Sequence, residues 1–116
     1  MFRKKQNINF LELTPVHNKS FEDNNGLITI VFPKFKNKFL QRLIPKNKSP
    51  DIRISLDEVG SSVWKLIDGN TKVNEIIQLL KNKFGEELIQ AEQRTLKFLS
   101  MLYQHRFIYF KEIRKE

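Results

Sequence analysis

With 116 residues the chain can bury roughly two thirds of the surface it exposes when unfolded, enough for one core and not for two independent domains. A hydrophobic content of 40% with ten phenylalanines excludes a disordered tail, the absence of cysteine excludes disulfides and thiolate chemistry, and no apolar run approaches the ~20 residues of a membrane-spanning helix. The net charge of +8 raises the question of a nucleic-acid partner, but residues 1–56 hold eleven Lys and Arg against four Asp and Glu, residues 57–110 hold seven against seven, and residues 111–116 hold three against two.

The N-terminal MFRKKQNINFLELTP begins basic, yet Gln6, Asn7, Asn9 and Glu12 interrupt its apolar positions, so it is not a signal-peptide core. Residues 1–15 therefore read as an arm of a cytoplasmic protein, ahead of a domain at 16–113. A weak first strand is expected at 16–21, followed by the turn signal EDNNG at 22–26. Residues 27–32, LITIVF, are β-branched and aromatic and are closed by Pro33; they predict a strand that completes a hairpin with the first.

In FPKFKNKFLQRLIP the side chains of Phe35, Phe39, Leu40, Leu43 and Ile44 fall on one helical arc with Lys34, Lys38 and Arg42 opposite, and Pro45 ends the pattern. Lys34, Lys36, Lys38, Arg42, Lys46 and Lys48 are not interrupted by any acid. This basic insertion, 34–50, reads as a solvated surface segment, or as an amphipathic helix that docks to anionic lipid or to an acidic partner. Lys36 lies inside the apolar arc and argues against lipid and peripheral membrane contact.

From Asp51 the period is two: Ile52, Ile54 and Leu56 alternate with Asp51, Arg53 and Ser55, as in a strand with one buried face. At Asp57 the period becomes helical without a loop. A helix is predicted over 58–67, with Asp57 as its N-cap and Val59, Val63, Trp64 and Ile67 on its apolar stripe. Val73, Ile76, Ile77, Leu80 and Phe84 define a second helix that stops at Gly85. A third spans 87–105, with Leu88, Ala91, Thr95, Phe98, Leu99, Leu102 and Tyr103 on its apolar face, and FIYFKEI at 107–113 reads as a short strand or extended tail.

Catalytic residues are not identified. The only histidines are His17 and His105, there is no His/carboxylate metal spacing and no Gly-rich phosphate loop, and Ser61 and Ser62 lack the setting of a nucleophile elbow. No cofactor or metal is expected, and the chain reads as a non-enzyme. Trp64 reads as core, and Gly60, Ser61 and Ser62 as a place of close packing.

The run LDEVGSSVWKLIDGNTKVNEI, then KNKFG, the long third helix and FIYF together resemble the PqqD-like family of RiPP recognition elements, over residues 16–110. The resemblance implies an α+β, winged helix-turn-helix fold, a three-stranded antiparallel sheet followed by three helices. It implies a peptide-binding module that takes the leader segment of a ribosomally made precursor peptide as an added strand and presents it to a modifying enzyme, often a radical SAM protein. Carried onto this chain, the docking strand is Ile52, Arg53, Ile54, Ser55 and Leu56, and the helix face is Arg94, Lys97, Phe98 and Met101. Where the family has a capping Thr this chain has Lys72, so Asn70 or Thr71 is expected to cap the second helix. The competing expectations are a winged-helix nucleic-acid binder, disfavoured by the neutral helical half and by Glu86, Glu87 and Glu92 beside Arg94 and Lys97, and an adaptor docking through the basic insertion.

Overall fold

The computed structural model describes residues 9–33, 42, 51–85 and 87–113. Strands β1 (Pro15–His17), β2 (Ser20–Asn24), β3 (Leu27–Pro33) and β4 (Asp51–Ser55) precede helices α1 (Glu58–Leu66), α2 (Val73–Phe84) and α3 (Leu88–Gln104), and β5 (Ile108–Phe110) follows them. A three-stranded antiparallel sheet, β2-β3-β4, followed by three helices is the predicted α+β order. The expected helix at 35–44 and the basic insertion lie outside the described residues, apart from Arg42. Two compact units result: Lys19–Ser61 is one, and the described residues on either side of it form the other.

In the first unit β2 and β3 form a hairpin in which Asn24 faces Leu27, leaving Asn25 and Gly26 as a two-residue loop. Both loop residues have positive φ, 58° and 93°, as the tight turn matched to strand twist requires, and Asn-Gly supports that conformation at low cost. The Gly26 N–H donates to Asp23 Oδ1 at 2.8 Å. Ile28 and Ile30 are the buried positions of β3.

The first strand is corrected here. Val16 does not belong to the hairpin; it lies in β1 and faces Tyr109 of β5, while β2 begins at Ser20 and takes in residues 22–24 of the expected turn. Every residue of β2 is exposed, so this strand has no hydrophobic alternation to announce it and is held by its register to β3.

In the second unit β5 pairs antiparallel with β1, and the pairing is extended at both ends: Asn18 N–H donates to the Phe107 carbonyl at 2.9 Å and Lys111 N–H to the Thr14 carbonyl at 3.0 Å. Thr14 also gives its N–H and its hydroxyl to the two carboxylate oxygens of Glu112, each at 2.8 Å. Burial pushes the Glu112 carboxyl up, but these hydrogen bonds and the charge of Lys72 outweigh it and hold the group below the usual carboxylate range. Ile108 and Phe110 are buried, as are Val63, Trp64 and Ile67 of the first helical segment, Val73, Ile76, Ile77 and Leu80 of α2, and Ala91, Thr95, Leu99 and Leu102 of α3. Of the expected apolar face of α3, Phe98 is half-buried, and Leu88 and Tyr103 are exposed.

Gly85 ends α2 in the left-handed conformation, with its N–H on the Lys81 carbonyl at 2.8 Å. The start of α2 corrects the expected cap. Neither Asn70 nor Thr71 serves: their N–H groups both donate to Asp68 Oδ1 at 2.9 Å in a turn before the helix, and these bonds, Asn70 first, hold the Asp68 carboxyl low. The helix is instead closed from two sides. Glu75 accepts the Lys72 N–H at 2.8 Å, and the carbonyl of Leu13 accepts the Val73 N–H at 2.9 Å.

Candidate functional site

Strand β4 lies at the margin of its sheet, and β3 is the one strand that pairs with it among the described residues. Its register places Ile54 opposite Ile30 and Ile52 opposite Phe32, and beyond its end the Leu56 N–H donates to the Ile28 carbonyl at 2.8 Å. In an antiparallel ladder, the residues that bond to the partner alternate with those whose N–H and C=O point away from it. Ile52, Ile54 and Leu56 therefore turn their main-chain groups toward β3, and Asp51, Arg53 and Ser55 turn theirs outward. The same parity accounts for Pro33: its missing N–H falls on the β2 side of β3, past the end of β2 at Ser20, where no rung is lost.

The last rung of the inner ladder is completed by a side chain. Ser61, one turn into α1, accepts the Ile28 N–H on its hydroxyl oxygen at 2.8 Å and donates the hydroxyl to the Leu56 carbonyl at 3.3 Å. Asp57 caps the same turn, its Oδ1 accepting the Gly60 N–H at 2.7 Å. Strand end and helix start are thus one hydrogen-bonded corner, which is why no loop separates them. Gly60, Ser61 and Ser62 are all buried, as the close-packing reading requires.

Side chains on β4 divide by face. Ile52 and Ile54, with Leu56, are half-buried, and Arg53 and Ser55 are exposed. The Arg53 guanidinium reaches back over β3 to the carboxylate of Glu22 on β2. The FIYF tail does not cover β4; its Ile108–Phe110 are paired with β1. Of the helix residues, Arg94, Lys97 and Met101 are exposed and Phe98 is half-buried; their spacing puts all four on one stripe of α3. The strand residues and the helix residues belong to different compact units.

Two of the groups weighed for chemistry, His17 and Ser61, have structural employment. His17 stacks on Trp64, with ring centroids 4.1 Å apart and planes 11° from parallel, and its Nε2–H donates to the Trp64 carbonyl at 2.9 Å. Burial lowers the His17 pKa from 6.5, with the hydrogen bond opposing, so the ring is neutral near pH 7. Two working residues, Glu22 and Ser61, escaped the sequence reading. Ser61 was legible only as a small side chain, and Glu22 looked like part of a turn.

A small α+β chain with an exposed edge strand running straight into a capped helix is the class that these features define. The family described as Coenzyme PQQ synthesis protein D (PqqD) matches residues 50–108, just over half of the chain, and the protein belongs to that family. Searches of curated proteins and of solved structures gave no significant match. The family match begins one residue before β4 and ends in β5. No helix among the described residues is long and apolar enough to cross a membrane.

Proposed function

We propose that this protein is a non-catalytic, cytoplasmic peptide-binding module that takes the leader segment of a ribosomally synthesised precursor as an additional strand along β4 and presents it to a modifying enzyme, a radical SAM protein being the expected type. The observation that carries the reading is the outer edge of β4: the main-chain groups of Arg53 and Ser55 point away from the sheet, no second strand pairs with β4 among the described residues, and the FIYF tail is paired elsewhere. An extended peptide satisfies such groups by backbone pairing, which gives affinity, while alternate side chains give specificity. The corner made by Asp57 and Ser61 holds the edge in shape before the peptide arrives and so reduces the ordering cost of binding. Family membership supports the peptide role, and the stripe Arg94, Lys97, Phe98 and Met101 of α3 is proposed as a peptide-contacting face within its own unit.

The test is an NMR titration with leader segments of precursor peptides encoded beside this gene. Amide shifts at residues 51–56 are expected, and shifts clustered elsewhere overturn strand addition at β4. A substitution sharpens it. Ser55→Pro removes an outward N–H while leaving the inner ladder whole, so it should weaken the peptide by about 1 kcal/mol, some fivefold, with little change in fold stability. Unchanged affinity in Ser55→Pro counts against the model.

A further inference from the structure

The Arg53–Glu22 pair is an uneven arrangement for a structural ion pair. Both side chains are 48% exposed, and they sit on strands separated by the whole width of β3. Glu22 faces Thr29, which faces Ser55; Arg53 faces Val31 in the neighbouring row, so the guanidinium must lean inward across the polar face to meet its partner. Exposed pairs of this kind contribute little to stability. Arg53 is also one of the three residues whose main chain points outward.

A peptide strand added at that edge would place one residue directly opposite Arg53, on the same face as the guanidinium. Neighbouring strands bring opposed side chains to about 5 Å, whereas Glu22 is two strands away, about 10 Å across the sheet. A carboxylate on the guest is therefore better placed for Arg53 than Glu22 is. Asp51 shares that face two residues along, so an acid opposite Asp51 meets like charge. The guest residues on either side of the acid fall on the opposite face, beside the half-buried Ile52 and Ile54, where apolar side chains fit.

We propose that Glu22 is an internal placeholder for an acidic side chain of the docked peptide, so that β4 selects extended peptides with Asp or Glu opposite Arg53 and apolar residues at the adjoining positions. This rests on β4 being the docking edge. Without a guest, Glu22 holds the guanidinium folded back over β3; on docking, the guest carboxylate takes it over. Glu22 thereby lowers the affinity for acidic guests while keeping Arg53 out of contact with other anions.

The probes are two synthetic peptides long enough to span β4, alternating valine and threonine, in which one central threonine is replaced by Asp or by Asn. Each is titrated into the wild type, Glu22→Gln and Arg53→Gln, with amide shifts reporting the site and fluorescence anisotropy the affinity. The wild type should prefer the Asp peptide. Glu22→Gln should tighten the Asp peptide by a further two- to fivefold, roughly the worth of an exposed ion pair, and leave the Asn peptide unchanged. Arg53→Gln should abolish the preference, and added salt should shrink it. If shifts fall on residues 51–56 but the Asp-to-Asn ratio is the same in the wild type and Glu22→Gln, the placeholder is refuted and the docking edge survives. If neither peptide moves those amides, the docking edge fails and the placeholder fails with it.

Discussion

The two small sheets among the described residues treat their edges in opposite ways. The pair β1-β5 is secured along its whole length: rungs continue past both ends, Thr14 clamps Glu112 with two bonds, the Asn18 side chain holds the Arg106 carbonyl at 3.0 Å, and Ile108 and Phe110 are buried. In β4 no residue is fully buried, and its outward-facing main chain carries no ladder among the described residues. The lesson is that side-chain bonds are concentrated where a strand is buried and clamped, and are sparse along the edge proposed to take a peptide. What β4 does possess, the Asp57 and Ser61 corner, fixes its position without covering its outer side.

The largest test of this contrast compares one apolar residue from each sheet. Phe110→Ala should destabilise the fold by about 3–5 kcal/mol, because a fully buried ring is lost, whereas Ile54→Ala at the half-buried edge should cost about 1–2 kcal/mol in urea unfolding and weaken peptide binding besides. Equal losses would mean that β4 is as structural as β5. Next in size, Ser61→Ala strands the buried Ile28 N–H without its acceptor and should cost about 1–3 kcal/mol; Ser61→Thr retains the hydroxyl and should recover part of it if the site admits the methyl.

The smallest effect is a pH dependence confined to the β1 side. Because burial lowers the His17 pKa, the unfolded chain binds the extra proton first as pH falls below 6.5. Stability is thus full above that value, declines as pH falls toward the lowered pKa and levels off beneath it. An imidazole NMR titration of His17 should give a midpoint below 6.5, and His17→Gln should flatten this part of the stability curve. A midpoint above 6.5 would reverse the sign.

Much of this architecture was legible along the chain, and the failures have two causes. LITIVF announced β3, the stripe from Val73 to Leu80 announced α2, Asp57 announced a cap, and Trp64 is as buried as its neighbours Val63 and Ile67 suggested. Each of those signals is local. What was missed depends on partners far away in the chain: β1 is three residues long and shows no period until Tyr109 is placed against Val16, and the α2 cap relies on a carbonyl from Leu13. Strand β2 is silent for a different reason, since a strand exposed at every position leaves no trace in hydropathy. Strand β4 was legible in extent and alternation, but which of its residues point outward needed the Leu56 to Ile28 bond to settle the parity.

The pairing of β1 with β5 has a consequence for how the protein is born. A ribosome emits Lys19–Ser61 as one uninterrupted piece, so the sheet bearing the open margin has all its own strands at hand early, while β1 must wait for Ile108–Phe110 to emerge before it gains a mate. During synthesis the border of β1 therefore stands without its mate until the last strand emerges, whereas β4 meets its partner β3 early.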